Sequence, residues 1–229
     1  MTPAESGPGV SPGVTAALEQ ARELGYLGDG PVEAHIAHAQ GFADVAERQL
    51  GGRPPRFLDL GSGGGVPGLV LAERWPAAGA VLLDANQRRA RFLAEHVGSL
   101  GWEERVTVAC LRAEEAGRDP AYRGCLPVVT ARSFGVPAVV AECGAPLLQV
   151  GGILVVSEPP VGRRPHPGGD EAEVGHPGRW PLEALAELGL RPLAFESGRF
   201  SYQVLLQEAP CPPRYPRRTG VPEKRPLYR

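Results

Sequence analysis

Short apolar runs and amphipathic segments alternate along most of the chain. Apolar runs of about four to eight residues are typical of buried strands, and apolar residues three and four positions apart are typical of helices. The predicted strands are 56–60, 80–84, 105–110, 126–131, 152–157, 192–196 and 202–208. The predicted helices are 15–26, 31–50, 66–74, 86–100, a short one near Glu114, 137–148 and 180–188. This order predicts an α/β, Rossmann-like fold with a mostly parallel, seven-stranded sheet that ends in an antiparallel hairpin.

The pattern predicts one domain with an appendage at each end. The 229 residues, of which 42% are hydrophobic, suffice for one substantial core. Residues 1–14 are rich in proline, glycine and serine and are predicted to be disordered. We expect a catalytic domain over 15–209, of which 15–50 form a helical cap. The proline- and glycine-rich segment 158–178 is about 20 residues long, a length typical of a lid, a binding segment or a disordered connection.

Charge distinguishes the C-terminal segment 210–229 from the rest of the chain. It holds six basic residues and one acidic residue, so this proline-rich tail carries a formal charge of +5 and the remainder carries −7. Such a tail either binds phosphate groups or lies solvated on the surface. The four cysteines show no C-x-x-C spacing, so no metal site is predicted. No signal-like segment and no apolar run of ~20 residues occurs, so we expect a cytoplasmic protein without a membrane span.

Candidate chemistry begins at a glycine-rich turn after the first predicted strand, with the sequence DLGSGGG at 59–65. Glycine permits the positive φ values and the close backbone approach that a ligand-binding turn requires. Asp59 ends the strand, where it could accept hydrogen bonds from an ammonium group. Asp84 ends the second strand, where it could accept hydrogen bonds from two ribose hydroxyls. Ala113 and Glu114 follow the third strand and could contact an adenine edge, which outlines a site for S-adenosylmethionine.

Two alternatives to that cofactor stay open on the residues alone. One is a nicotinamide dinucleotide, whose fingerprint is G-x-G-x-x-G with the pyrophosphate on the following helix. Counted from Gly61 and Gly63, its third glycine would fall at Val66, so the spacing favours a cofactor without a pyrophosphate. The other is a tight connection that binds no ligand.

Several segments resemble a single methyltransferase family. They are FLDLGSGGGVPGLVLAERWP at 57–76, LLDANQRRARFL at 82–93, Arg-Ala-Glu at 112–114, TARSF at 130–134 and YPRRTGVPEKRPL at 215–227. They are similar to the GidB/RsmG family, which methylates N7 of a guanine in small-subunit ribosomal RNA. The resemblance covers roughly 33–227, with gaps, and implies an S-adenosylmethionine-dependent methyltransferase fold.

The resemblance also implies roles for matching residues. Its cofactor positions correspond to Gly61, Gly63, Gly65 and Asp84, and its adenine-side positions to Ala113 and Glu114. Asp59 and Ser62, in the same turn, complete the set of predicted cofactor-binding residues. Its reaction centre corresponds to Arg132, at the end of the fourth strand, and to His35. Its RNA-binding positions correspond to Arg132, Arg217, Arg218, Lys224 and Arg225.

The departures from the family pattern lie on the methyl-acceptor side. The arginine expected before His35 is Ala34. After the fifth strand, where the family tends to have a lysine and a glycine, this chain has Ser-Glu-Pro-Pro at 157–160. His35 and His38 stand at helical spacing, but no third metal ligand accompanies them. His35 either lines the active site or has a purely structural role.

Arg132 has two interpretations of its own. It could pair with Asp59 or Glu142, or it could contact a substrate. A guanine N7 already carries a lone pair and needs no deprotonation, whereas an alcohol acceptor favours a base, for which His35 and Glu158 are the candidates.

Three functions follow from these residues. The first is methylation of guanine N7 in ribosomal RNA or the small ribosomal subunit. The second is N- or O-methylation of a small-molecule acceptor, which the altered acceptor-side residues and the acidic body favour. The third is binding of S-adenosylmethionine without catalysis.

Overall fold

The computed structural model of the protein describes residues 9–159 and 178–228. The helices are α1 (Pro12–Glu23), α2 (Val32–Leu50), α3 (Gly68–Arg74), α4 (Gln87–Ser99), α5 (Ala113–Ala116), α6 (Pro137–Gly144), α7 (Leu182–Ala186) and α8 (Val221–Lys224). The strands are β1 (Arg56–Leu60), β2 (Gly79–Leu83), β3 (Val106–Ala109), β4 (Leu126–Ala131), β5 (Leu148–Glu158), β6 (Leu190–Ser197) and β7 (Ser201–Gln207). A 3₁₀ turn at Ala145–Leu147 joins α6 to β5. Within the described residues, no helix has the length and apolar character needed to cross a membrane.

The seven strands form one sheet in the order β3-β2-β1-β4-β5-β7-β6. Neighbouring strands from β3 to β5 are parallel, and β7 runs antiparallel to both β5 and β6. The predicted fold class, including the C-terminal hairpin, is therefore confirmed. The order of the strands reverses between β1 and β4, and open α/β sheets bind ligands at the carboxyl ends of strands beside such a reversal.

Helices cover both faces of the sheet, so most side chains of the central strands are apolar and buried. Side chains from α1, α2, α3 and α4 pack on one face, around Phe42, Phe57 and Leu82. Side chains from α5, α6 and α7 pack on the other, around Leu58 and Leu83. The alternation of Phe57 and Leu58 between the two layers follows from the two-residue period of a strand. The predicted cap helices over 15–50 thus belong to one of the two layers that enclose the sheet.

The N-terminal boundary differs from the prediction. Helix α1 begins at Pro12, within the segment predicted to be disordered, and Ser11 caps it by accepting a hydrogen bond from the Val14 amide. Val14 is fully buried, so packing holds this turn in place despite its poor helix composition. Residues 1–8 and residues 160–177 of the predicted loop lie outside the described residues.

The C-terminal segment differs more strongly. It was predicted to be a separate basic tail, yet it packs on the α5/α6 face of the sheet. Tyr215 is 5% exposed and belongs to that core, and Cys211 and Leu227 pack against it. Apolar residues spaced among the prolines provide this anchoring, which the high charge of the segment obscured.

Candidate active site

The glycine turn between β1 and α3 has a tightly fixed backbone. Gly61, Gly63 and Gly65 all have positive φ values, of 75°, 55° and 93°. The amides of Gly61 and Ser62 both donate to the carbonyl of Leu83, each at 2.9 Å. A Cβ on Gly65 would lie 2.5 Å from the Leu69 side chain. Glycine is required here for its backbone conformation and its lack of a side chain, as the sequence predicted.

Asp59 lies beneath this turn and not at its surface. It is 1% exposed, and its two carboxylate oxygens accept hydrogen bonds from the Gly68 amide and the Thr130 hydroxyl, both at 2.9 Å. In this conformation no exposed carboxylate oxygen is available for the predicted direct contact with a ligand's ammonium group, and that contact stays a prediction. Asp59 instead links the first amide of α3 to β4, which fixes the turn from below.

Asp84 connects the turn to a cavity at the ends of β2 and β3. One carboxylate oxygen accepts from the Gly63 amide and the other from the Asn86 amide, both at 2.8 Å. Its side chain lines a cavity of about 390 Å³ together with Ala113 and Glu114. We call this the adenosine cavity, after the ligand that the sequence predicts for it. The structure thus brings Asp84, from the end of β2, together with Ala113 and Glu114, from α5, as the sequence predicted.

Two further cavities adjoin the loop that follows β4. One, of about 240 Å³, is lined by the glycine turn from Gly61 to Gly64 and is here called the turn cavity. The other, of about 350 Å³, lies at the ends of β4 and β5 and is here called the acceptor cavity. Arg132 and Ser133 line both of these, while Phe134 lines the acceptor and adenosine cavities. The loop 132–135 is consequently the wall at which the three cavities meet.

Arg132 is held in that wall by His35. Its guanidinium lies 2.6 Å from His35 Nδ1, and His35 Nε2 lies 3.0 Å from the Gly28 carbonyl. Because arginine only donates, Nδ1 must accept, so the imidazole is neutral and Nε2 donates to Gly28. Burial and then the charge of Arg132 lower the pKa of His35, which agrees with this tautomer. The sequence offered Asp59 or Glu142 as partners for Arg132, and the structure provides His35 instead.

Glu158, the other candidate base, also takes part in hydrogen bonds within the protein. Its side chain accepts from Arg179 Nε at 2.7 Å and from Trp180 Nε1 at 3.0 Å, at the edge of the acceptor cavity. His38 lines the same cavity and stacks on Phe200, with ring centroids 4.4 Å apart. Burial lowers the pKa of His38 to about 4, so it is uncharged at neutral pH. Within the described residues, no three histidine, cysteine or acidic side chains are grouped closely enough to hold a metal ion.

The four predicted RNA-binding residues of the C-terminal segment separate into two kinds. Arg217 donates to both oxygens of the fully buried Glu142, at 2.8 and 2.6 Å, so its guanidinium is committed to the protein itself. Arg218, Lys224 and Arg225 are exposed. The prediction for Arg217 missed this partner because Glu142 lies 75 residues away in the sequence.

Comparison with known proteins identifies the family. The model of a family described as GidB, rRNA small subunit methyltransferase G, matches residues 35–158. The chain belongs to this family. The matched region includes the glycine turn, Asp84, Glu114 and Arg132, and the chain is accordingly a methyltransferase.

Curated members of the methyltransferase G family extend the match over most of the chain. The ribosomal RNA small subunit methyltransferase G of Symbiobacterium thermophilum is 38% identical over 205 residues, which are 86% of this chain and 80% of that protein. The protein of the same name from Prochlorococcus marinus strain MIT 9313 is 37% identical over 183 residues, which are 80% and 72% of the two chains. The predicted family resemblance is confirmed.

Solved structures share the fold at much lower identity. A cofactor-bound protein from MTB is 19% identical, with a TM-score of 0.58 over 89% of this chain and 93% of that one. An O-methyltransferase family protein from Burkholderia thailandensis is 16% identical, with a TM-score of 0.54 over 77% and 58% of the two chains. At these identities the likeness concerns the fold alone.

Burial of Asp59 in this family member leads to a pH-dependent prediction. Burial raises the pKa of Asp59 to about 6, opposed by the hydrogen bonds from Thr130 and Gly68. A carboxyl group whose pKa is higher in the folded state stabilises the protein when protonated, and this stabilisation is lost as the pH rises from about 4 to about 6. The carboxamide introduced by D59N carries no charge; its oxygen can accept from the Gly68 amide, and its NH2 group can donate to the Thr130 hydroxyl, which then accepts instead of donating. Relative to D59N, we expect the wild type to lose about 2 kcal/mol of unfolding free energy between pH 4 and pH 7.

Urea unfolding of both proteins at half-unit steps of pH measures this difference. All other carboxyl groups are common to the two proteins, so their titration cancels in the comparison. Parallel stability profiles from pH 4 to pH 7 would contradict the account of Asp59.

Proposed function

We propose that the protein transfers a methyl group from S-adenosylmethionine to N7 of a guanine in small-subunit ribosomal RNA. The observation that carries the proposal is the family match over residues 35–158. The curated relatives named above are ribosomal RNA small subunit methyltransferases. The cofactor, the acceptor atom and the residue roles are argued below from the geometry of the cavities.

The adenosine cavity supports S-adenosylmethionine as the cofactor. Its volume of about 390 Å³ lies within the usual range of ligand pockets, about 300–1,000 Å³. Three carboxylates line it, from Asp84, Glu114 and Glu223, against one guanidinium, from Arg112. Carboxylates accept hydrogen bonds from ribose hydroxyls and from the adenine amine, and their charge suits a cationic ligand. The turn cavity beside Gly61 would then hold the methionine part.

The hydrogen bonding at the start of α3 disfavours a dinucleotide. A pyrophosphate would require the amides at the N-terminus of the helix after the glycine turn. In this chain the Gly68 amide, the first of α3, already donates to the buried Asp59 carboxylate. This amide is therefore not free to bind a pyrophosphate, which supports the interpretation of the glycine spacing.

The state of the two candidate bases supports a ring nitrogen as the acceptor atom. His35 Nδ1 accepts from Arg132, and both oxygens of Glu158 accept from Arg179 and Trp180. Neither group is placed to remove a proton from an acceptor, whereas N7 of guanine has a lone pair and requires no base. S-adenosylmethionine supplies an electrophilic methyl group, so the protein's task is to hold the acceptor in line with it and to exclude water.

Arg132 is the residue we assign to that task. It lines both the turn cavity and the acceptor cavity, and His35 fixes the position of its guanidinium. Its donors can hold a base carbonyl or a phosphate oxygen at the boundary where the methyl group would pass. Phe134, in the same wall, lines both the adenosine cavity and the acceptor cavity.

Basic side chains at the cavity mouths support RNA as the acceptor molecule. Arg89 lines the turn cavity, Arg112 the adenosine cavity and Arg179 the acceptor cavity. Exposed basic residues of the C-terminal segment continue this distribution, since Lys224 directly follows the cavity-lining Glu223. Cations distributed in this way can neutralise several phosphates of a folded RNA.

Deletion of the gene in its own organism tests the proposal. We expect the loss of a single N7-methylguanosine from small-subunit ribosomal RNA, detected by mass spectrometry of nuclease fragments, and its return when the wild-type gene is restored. An unchanged modification map would overturn the ribosomal RNA assignment and direct attention to a small-molecule acceptor or to binding without catalysis.

A further inference from the structure

Arginines of the protein body hold the C-terminal segment in place. Arg123 donates to the carbonyls of Tyr215 at 2.8 Å and Cys211 at 2.9 Å, and Arg118 donates to the carbonyl of Pro216 at 2.6 Å. The Tyr215 hydroxyl donates to Glu187 at 2.9 Å. Charged donors make the stronger protein hydrogen bonds, so these contacts fix the proline-rich backbone of 211–216, which lies outside the helices and strands.

Arg217 forms the most buried of these anchors. Its backbone amide and its Nε donate to Glu142 Oε1, both at 2.8 Å, and its terminal nitrogen donates to Oε2 at 2.6 Å. Glu142 is fully buried in α6, so Arg217 balances a charge that water cannot reach. The next residue of α6, Cys143, lines the adenosine cavity. The anchor therefore joins the segment to the helix that forms one side of this cavity.

The residues after Arg217 reach the cavity itself. The Gly220 amide donates to Glu114 Oε1 at 2.7 Å, which orients a carboxylate that lines the cavity. Glu223, three residues later, contributes to the cavity lining directly. Two of the three carboxylates at this cavity thus depend on where the C-terminal segment lies.

We infer that the segment 211–227 is a wall of the cofactor site and that Arg217 is a positioning residue for cofactor binding. The inference rests on the proposed function only in taking the adenosine cavity as the place where the cofactor's nucleoside binds. Arg217, which the sequence assigned to RNA, then acts on the cofactor side through Glu142, Gly220 and Glu114. The exposed neighbour Arg218 is left to contact RNA.

The experiment compares R217Q with R218Q, a matched pair of adjacent positions with the same change. Calorimetric titration with S-adenosylhomocysteine measures cofactor-site affinity without turnover, and a filter assay with small-subunit ribosomal RNA measures RNA binding. We expect R217Q to bind S-adenosylhomocysteine roughly tenfold more weakly, a change that corresponds to the loss of one charge-assisted hydrogen bond. R218Q should keep the wild-type affinity for S-adenosylhomocysteine and bind RNA more weakly.

Two further variants keep the test decisive if R217Q fails to fold. The double variant E142Q/R217Q removes both charges together and so leaves no unbalanced buried carboxylate, and E223A alters the wall at an exposed position. Both should weaken S-adenosylhomocysteine binding while the thermal unfolding midpoint of E223A stays at the wild-type value.

The outcomes separate this inference from the proposed function. Wild-type affinity in folded R217Q, or in both E142Q/R217Q and E223A, would overturn the inference even if ribosomal RNA is methylated. Weakened S-adenosylhomocysteine binding in a protein that methylates no RNA would support the inference and overturn the RNA assignment. A wild-type protein that binds no S-adenosylhomocysteine would overturn both.

Discussion

Replacing Asp84 with alanine is expected to weaken S-adenosylhomocysteine binding by about 100-fold or more. The variant loses the carboxylate that holds the Gly63 amide at 2.8 Å and that lines the adenosine cavity. Hydrogen bonds to charged groups contribute about 1.5–3 kcal/mol each, so losing two bonds to ribose hydroxyls already accounts for a change of this size. The freed Gly63 amide lets the turn relax, which adds to the loss.

The matched control is D44A, which removes an exposed aspartate from α2 on the surface of the protein. Its ion pair with Arg74 is 3.2 Å long and partly solvated, so its removal should change neither affinity nor stability by much. Titration calorimetry on both variants provides the comparison. An affinity for D84A within a few-fold of the D44A value would contradict the assignment of the cofactor to this cavity.

Replacing Arg132 with alanine is expected to have the largest effect on catalysis. The rate of methyl transfer to RNA should fall by about 100-fold or more, the usual scale for removing a fixed donor at a reaction centre. Affinity for S-adenosylhomocysteine should change only a few-fold, because Arg132 lies on the wall between cofactor and acceptor and the carboxylates of the adenosine cavity remain. Single-turnover rates with labelled S-adenosylmethionine, measured beside the calorimetric affinity, separate the two effects.

R191A is the control for charge, since Arg191 lies on the edge strand β6 in an exposed pair with Glu208. It should retain the wild-type rate. If R132A transfers methyl groups as fast as R191A does, Arg132 has no part in the reaction, and its bond to His35 is structural.

The strands of the sheet, and the edge at which their carboxyl ends meet, were predictable from local sequence. Strands β1 and β4 match their predicted bounds because each is a short, largely apolar run that ends at a loop or turn. The adenosine cavity was also predictable, since parallel strands bring their carboxyl ends to one edge and so place Asp84 near Glu114. These features depend on residues within one strand-helix-strand unit or on the general geometry of a parallel sheet.

Side-chain partners across long sequence separations were not predictable in the same way. Arg132 pairs with His35 over 97 residues, and Arg217 pairs with Glu142 over 75. The position of a residue within a strand or helix predicts the edge of the sheet at which it lies. It does not predict with which of several charged groups the residue will pair there. The burial of Asp59 was not predictable for the same reason. Its carboxylate accepts hydrogen bonds from α3 and from Thr130, and the sequence alone does not show that these two groups meet it.

The measurement that tests the central claim most directly is methyl transfer by the purified protein in the presence of S-adenosylmethionine labelled on its methyl group. Small ribosomal subunits from the deletion strain serve as the acceptor, with D84A and R132A as controls of strongly reduced activity. The account predicts label in one nucleoside of the small-subunit RNA, identified as N7-methylguanosine, at a much higher rate with the wild-type protein than with either variant. Label in no RNA nucleoside, or in another position of the RNA, would contradict it.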